Sequence, residues 1–152
     1  FRSVVAVGPG RIDDNGNRVP LDVAVGDRVS YTGAHNTLGA YSTERLIAAS
    51  VLMKLPEGIS CETAAAMTMR GLTSAYLLRR INDFQAGDTL LLHAAAGGVG
   101  SLAGQWGREI GAHMIGVAGG ADKVALAKAN GYEFCLDRRT DDQGVVVAAR
   151  GR

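Results

Sequence analysis

Cysteine is scarce in this sequence, and so are the segments that would direct a protein into or across a membrane. Cys61 and Cys135 are its two cysteines, and two distant thiols cannot form a disulfide framework, which favours a reducing compartment. No apolar run approaches the roughly 20 residues that a membrane span requires, and no basic, apolar and small-residue leader opens the chain. We therefore expect a soluble, cytoplasmic protein with no membrane partner.

An excess of charge of either sign is also missing. Sixteen basic residues stand against fifteen acidic ones, giving a formal net charge of +1, so no overall field attracts nucleic acid. The chain has 47% hydrophobic and 20% charged residues, which are values of globular proteins rather than of disordered tails. It starts at Phe1 beside one apolar run and stops at Arg152 after another, so we expect an internal fragment of a longer protein.

The first part of the chain has β character. Short segments over Val4–Val7, Arg28–Tyr31 and Ala40–Ala48 alternate with glycine-rich turns, which is typical of a small barrel or sandwich. Between the first two, residues 11–20 form a polar loop with an Asp-Asn-Gly turn. This part of the chain is therefore predicted to contribute strands rather than helices.

A helix is predicted next, in the middle of the chain. Ser60 can cap it, and Glu62 places a carboxylate in the first turn, where the exposed N–H groups favour negative charge. Gly71-Leu72-Thr73 predicts an interruption before a second helical stretch over Ala75–Ile81.

From Asp88 onward the pattern changes to alternating strands and helices. The predicted strands are Thr89–His93, Met114–Val117 and Phe134–Asp137, and a helix over Asp122–Asn130 separates the last two. Another helix is predicted between the first two strands, and one face of it is formed by apolar residues at helical spacing: Val99, Leu102, Ala103, Trp106 and Ile110. Strand, helix, strand, helix, strand is the order of a doubly wound parallel sheet of the Rossmann type.

The turn between the first of these strands and its helix is rich in glycine. It comprises Ala95-Ala96-Gly97-Gly98-Val99-Gly100, and its place between an apolar strand and an amphipathic helix predicts a dinucleotide-binding loop. Gly97 and Gly98 would let the backbone approach a pyrophosphate, while the helix N-terminus directs unpaired N–H groups at that anion. The alternative is a tight turn that binds nothing.

The end of the second strand indicates which dinucleotide is bound. An NAD site usually has Asp or Glu there, whereas this sequence has Ala118-Gly119-Gly120. Asp122 follows, but its position is explained more simply by an acidic residue that stabilises the N-terminus of the next helix. Lys123 could reach a ribose 2′-phosphate, with Arg138 and Arg139 beside it. We therefore predict NADPH rather than NADH; the alternative is that Lys123 is an ordinary solvated lysine.

Several of these segments together resemble the quinone oxidoreductases, the zeta-crystallin-like branch of the medium-chain dehydrogenase/reductase superfamily. The resemblance is carried by Gly71-Leu72-Thr73, Gly87-Asp88 and, most specifically, His93-Ala94-Ala95-Ala96-Gly97-Gly98-Val99-Gly100. It implies part of a GroES-like β domain over residues 1–70, followed by the N-terminal part of an NADPH-binding Rossmann domain over residues 71–152. It further implies hydride transfer from NADPH to a quinone, in a homodimer when the protein is full length.

Carried over by position, the resemblance assigns roles to residues along the cofactor. Thr73 would contact the nicotinamide end, and Gly119 and Lys123 would surround the adenosine phosphate. Arg138 stands where the family commonly has a tyrosine that packs near the adenosine, so a guanidinium would stack or pair with phosphate there instead. The residues that would hold the pyrophosphate are Ala96, Gly97, Gly98 and Val99.

Zinc is not expected, since two isolated cysteines and three histidines without a CxxC motif do not provide a typical ligand set. No catalytic residue is predicted. Two alternatives to quinone reduction stay open: reduction of an activated double bond, as in enoyl-thioester reductases of the same superfamily, and nucleotide binding without catalysis. The zeta-crystallin-like group also includes RNA-binding members, but the nearly neutral charge of this chain gives no support for RNA binding.

Overall fold

The structure is a computed structural model that describes residues 2–19, 21–32 and 39–141. By its internal contacts the chain divides into two compact units, residues 1–69 and residues 70–152. None of the helices in the described ranges is both long enough and apolar enough to cross a membrane. The two units are described one after the other.

The first unit contains short antiparallel strands. These are β1 (Arg2–Ser3), β2 (Arg11–Ile12), β3 (Arg18–Val19), β4 (Arg28–Ser30) and β5 (Met53–Lys54). Strand β4 lies between β1 and β5 in one sheet, and β2 pairs with β3 in a separate hairpin. The predicted Asp-Asn-Gly turn closes this hairpin, because Asp13 Oδ1 accepts hydrogen bonds from the amides of Asn15 and Asn17 at 2.9 and 2.8 Å.

Two strand predictions in this unit are wrong. Neither Val4–Val7 nor Ala40–Ala48 contains a strand, and Val5 is 65% exposed. Apolar composition alone does not make a strand, since a strand also needs a partner for its backbone hydrogen bonds. Strand β4 has such partners, and the guanidinium of Arg28 further donates hydrogen bonds to the carbonyl oxygens of Ile59 and Pro56 at 2.8 and 3.2 Å.

One continuous helix, α1 (Cys61–Ala75), follows. Ser60 caps it as predicted, with its Oγ accepting a hydrogen bond from the amide of Thr63 at 3.1 Å. The predicted interruption at residues 71–73 is wrong, because the helix runs through Gly71 and passes directly into a π-helical stretch over Tyr76–Ile81. Tertiary packing overrides the low helix propensity of a single glycine.

The second unit holds a parallel sheet of the predicted Rossmann type. Its elements are β6 (Thr89–His93), α2 (Gly98–Ile110), β7 (His113–Ala118), α3 (Ala121–Ala129) and β8 (Phe134–Asp137). The strands lie in the order β6-β7-β8, all parallel. The predicted α/β order is therefore confirmed, with the first and last strands starting and ending at the predicted residues.

Helix α2 packs on this sheet through small residues rather than through the predicted large ones. Its buried residues are Gly100, Ala103, Gly104 and Gly107. Trp106, predicted to be part of the apolar packing face, is instead 38% exposed. A methyl group on Gly107 would overlap the Sδ of the fully buried Met114, so the glycines allow close contact between helix and strand.

Candidate nucleotide-binding site

The glycine loop connects the end of β6 to the start of α2. Ala94 takes a positive φ of 53°, and the amide of Gly97 donates a hydrogen bond to the carbonyl oxygen of Ala94 at 2.8 Å. Gly97 is the N-cap of α2. Because Gly97 has no side chain, the N-cap itself offers no oxygen to the first amides of the helix, which point toward any anion in front of them.

Two glycines of the loop are needed for different reasons. A methyl group on Gly100 would lie 2.6 Å from the carbonyl oxygen of Ala95 and would also overlap that of Ala94, both of which are backbone atoms. For a methyl group on Gly98 the three nearest atoms would all belong to the side chain of Arg70. Gly100 therefore permits close packing of the loop backbone, and Gly98 leaves room for the side chain of Arg70 beside the helix N-terminus.

The C-terminal part of α1 contacts the first turn of α2. Ser74 is fully buried, and its Oγ lies 2.9 Å from the carbonyl oxygen of Arg70 and 3.3 Å from that of Val99. Residues 70, 73 and 74 share one face of a helix. Thr73 is half-buried, so this face places it on the side of α1 that meets the glycine loop.

A second loop, between β7 and α3, contacts two arginines of the segment after β8. A methyl group on Gly119 would lie 2.7 Å from Nε of Arg138, and one on Gly120 would lie 3.1 Å from Nη1 of Arg139. Lys123 is exposed in the first turn of α3. Three cationic side chains thus belong to the loop and its neighbouring segment, and Ala118-Gly119-Gly120 offers no carboxylate to oppose them.

Asp137, the last residue of β8, holds these two segments together. Its Oδ1 accepts hydrogen bonds from the amide of Gly120 at 2.8 Å and from that of Arg139 at 3.0 Å. These two backbone hydrogen bonds, in that order, together with the charges of Arg139 and Arg138, hold the pKa of Asp137 below its ordinary value. Gly120 has a φ of +97°, a conformation that glycine adopts without strain.

The sequence-predicted site residues follow the carboxyl ends of the three parallel strands, which meet at one edge of the sheet. Ala96, Gly97, Gly98 and Val99 come after β6, Gly119 and Lys123 after β7, and Arg138 after β8, while Thr73 lies on α1. Their roles in binding stay predictions.

Sequence reasoning missed Arg70, Ser74 and Asp137. The one available signal was the position of Asp137 directly before two arginines. Among residues 2–19, 21–32 and 39–141, no three His, Cys, Asp or Glu side chains come together as potential metal ligands.

Comparisons with known proteins match both units. Residues 3–51 match the family model described as the chaperonin 10 kDa subunit. A quinone oxidoreductase of Pseudomonas aeruginosa is 44% identical over 130 residues, which are 86% of this chain and 39% of that protein. The predicted resemblance and the predicted fold class, a GroES-like part followed by a Rossmann-type sheet, are thereby confirmed.

Solved structures agree with the sequence matches. Escherichia coli quinone oxidoreductase, crystallised with NADPH, has a TM-score of 0.75 and 42% identity, covering 80% of this chain and 36% of that one. The structure of 2-haloacrylate reductase has a TM-score of 0.76 and 35% identity, covering 92% and 41%. The chain spans about two fifths of the length of each of these three relatives.

Proposed function

We propose that this chain binds NADPH and belongs to an enzyme that reduces a quinone. Over the matched part, its sequence and fold are similar to those of the quinone oxidoreductases. The observation that carries this proposal is the pairing of two sites at one edge of the sheet. One is the open N-terminus of α2 behind Gly97 and Gly98, which suits a diphosphate. The other is the cationic loop after β7, which suits a further phosphate.

Described residues are available for three parts of this cofactor. The backbone of Ala96, Gly97, Gly98 and Val99 would hold the diphosphate, because its own side chains are no larger than methyl or isopropyl. Thr73, on the face of α1 that meets this loop, would contact the nicotinamide end. Gly119, Lys123 and Arg138 would surround the 2′-phosphate of the adenosine ribose.

The preference for NADPH over NADH follows from charge. A charge-assisted hydrogen bond from a lysine or arginine to the 2′-phosphate contributes about 1.5–3 kcal/mol, or roughly 10- to 100-fold in affinity. NADH lacks this phosphate and gains nothing from either cation. Asp137, the carboxylate that contacts this loop, already accepts two backbone hydrogen bonds.

Equilibrium titration of the purified protein with both cofactors tests the assignment. Lys123→Ala and Arg138→Ala should each weaken NADPH binding about 10- to 100-fold and change NADH binding less than twofold. Lys128→Ala removes a lysine from the last turn of the same helix and should change neither. Tighter binding of NADH than of NADPH by the unsubstituted protein would reject the assignment.

When bound, NADPH supplies the hydride, and the chain's task is to position the cofactor and to exclude water beside it. A quinone accepts hydride readily without a metal to polarise it. NADPH oxidation with 1,2-naphthoquinone measures this activity directly. Failure to turn over several quinones, together with normal NADPH binding, would instead favour a nucleotide-binding protein without catalysis.

Reduction of an activated double bond is the second candidate. It is favoured by the similarity to 2-haloacrylate reductase, which extends over 92% of this chain. Hydride addition to a carbon–carbon double bond beside a carbonyl would use the same hydride donor as quinone reduction. Comparing kcat/KM for an enone with that for 1,2-naphthoquinone separates the two candidates, since the true substrate class should give the higher value.

The assembly and location of the protein are proposed from the same family. We propose a homodimer in the cytoplasm, with a small-molecule quinone or enone as substrate and neither nucleic acid nor membrane as partner. The near-neutral charge supports the absence of a nucleic-acid partner, and the two unpaired cysteines support a reducing compartment. Light scattering of the purified protein at several concentrations measures the assembly, and a monomer throughout would contradict the homodimer.

A further inference from the structure

The side chain of Arg70 lies directly against the first residue of α2. A methyl group on Gly98 would be 2.5 Å from Nε, 2.6 Å from Cδ and 2.9 Å from Cζ of Arg70. Arg70 is exposed, and within the described part of the chain its guanidinium makes no ion pair. A cation is therefore placed beside the N-terminus of a helix, where the helix dipole is already positive.

This position is imposed by packing one turn away. Ser74, buried on the same face of α1, lies within hydrogen-bonding distance of the carbonyl oxygens of both Arg70 and Val99. The contact between Ser74 and Val99 fixes this turn of α1 against the first turn of α2. Arg70, four residues earlier on the same face of α1, consequently emerges beside Gly98.

We propose that Arg70 binds the diphosphate of the dinucleotide together with the amides of the glycine loop. A cation beside the positive end of a helix is unfavourable by itself, and an anion between the two satisfies both. The planar guanidinium can donate two hydrogen bonds to phosphate oxygens that also accept from backbone amides. This inference rests on the proposed function, and it adds a side chain to a subsite that the glycine loop otherwise forms with backbone alone.

Three ligands separate the role of Arg70 from the rest of the site. NADPH and 2′-phospho-ADP-ribose both contain the diphosphate, whereas adenosine 2′-monophosphate contains the phosphate at the other end alone. Isothermal titration of the purified protein with each ligand is repeated for Arg70→Ala, Arg70→Lys and, as the control, Arg80→Ala. Arg80 is an exposed arginine of the stretch that follows α1, and its removal should change no affinity.

Arg70→Ala should weaken NADPH and 2′-phospho-ADP-ribose equally, about 10- to 100-fold, and change adenosine 2′-monophosphate less than twofold. Arg70→Lys should retain part of the affinity, because a lysine keeps the charge but not the fork. Unchanged or tighter NADPH binding by Arg70→Ala would overturn the inference and leave the proposed function standing. Equal weakening of all three ligands would also overturn it. If the unsubstituted protein bound neither NADPH nor 2′-phospho-ADP-ribose, the proposed function would fail as well.

Discussion

Replacing Gly98 by alanine should weaken cofactor binding while leaving folding nearly unchanged. The three atoms nearest to the added methyl group would all belong to the side chain of Arg70, whose Nε lies 2.5 Å away. That side chain is exposed and can rotate, at a cost of about 0.5–1.5 kcal/mol for an unfavourable rotamer. Alanine returns up to about 1 kcal/mol in helix propensity over glycine, so the free energy of unfolding should change by less than about 1 kcal/mol.

Binding should respond differently to the same methyl group. It would stand in front of the first amide of α2, where a phosphate oxygen needs an approach of about 2.7–3.2 Å to the nitrogen. Loss of one charge-assisted hydrogen bond costs about 1.5–3 kcal/mol, so NADPH affinity should fall by roughly 10- to 100-fold or more. Thermal unfolding followed by circular dichroism and titration with NADPH measure the two effects separately.

Gly100→Ala is the matched variant two residues along the same helix. There the methyl group overlaps backbone carbonyl oxygens of Ala94 and Ala95, which cannot rotate away, so the loop must shift at a cost of about 1–3 kcal/mol or more. Its Tm should fall by several degrees, about 2–4 °C for each kcal/mol in a chain of this size. The reasoning is refuted if Gly98→Ala lowers the Tm as much as Gly100→Ala, or if it binds NADPH as tightly as the unsubstituted protein.

Three further predictions concern two side chains that hold the loops, Asp137 and Tyr132. The pKa of Asp137 is lower in the folded protein than in the unfolded chain, so its carboxylate stabilises the fold fully above the unfolded pKa of about 3.9. This stabilisation is lost as the pH falls through the folded pKa. The difference in Tm between the unsubstituted protein and Asp137→Asn should therefore narrow from pH 6 to pH 3, and a constant difference would contradict this. Tyr132→Phe removes a buried hydrogen bond of 2.8 Å to the carbonyl oxygen of Gly100 and should cost about 1 kcal/mol. The same burial raises the pKa of Tyr132 to about 12. In ultraviolet titration of the folded protein its phenol should therefore ionise at a higher pH than it does in the unfolded chain.

The parallel sheet could be predicted from the sequence because its signals are local and agree with one another. Thr89–His93 is an apolar run between a turn and a glycine loop, and a glycine with a φ of +87° ends α2 at Gly111. The strands of the first unit carry weaker signals. Strand β1 covers Arg2–Ser3 rather than the apolar residues after it, since pairing with β4 decides its place.

The packing face of α2 could not be predicted by a count of large apolar residues. Gly100, Gly104 and Gly107 are buried, and Trp106 is not. A hydrophobic scale gives glycine little weight, yet at each of these three positions a methyl group would overlap a neighbouring carbonyl oxygen or side chain. Steric complementarity between helix and sheet depends on both elements in the folded protein, so it does not follow from the sequence of the helix alone.

The acidic residue near the adenosine end illustrates why residue type alone does not define a site. A carboxylate close to the β7–α3 loop would ordinarily suggest hydrogen bonds to a ribose and a preference for NADH. Asp137 is at the end of β8, however, and its Oδ1 is used by the amides of Gly120 and Arg139. The carboxylate therefore fixes the loop, and the guanidinium groups of Arg138 and Arg139 lie against the two glycines. In this arrangement an acid supports the loop that is proposed to bind a phosphate, so its presence is compatible with the proposed preference for NADPH.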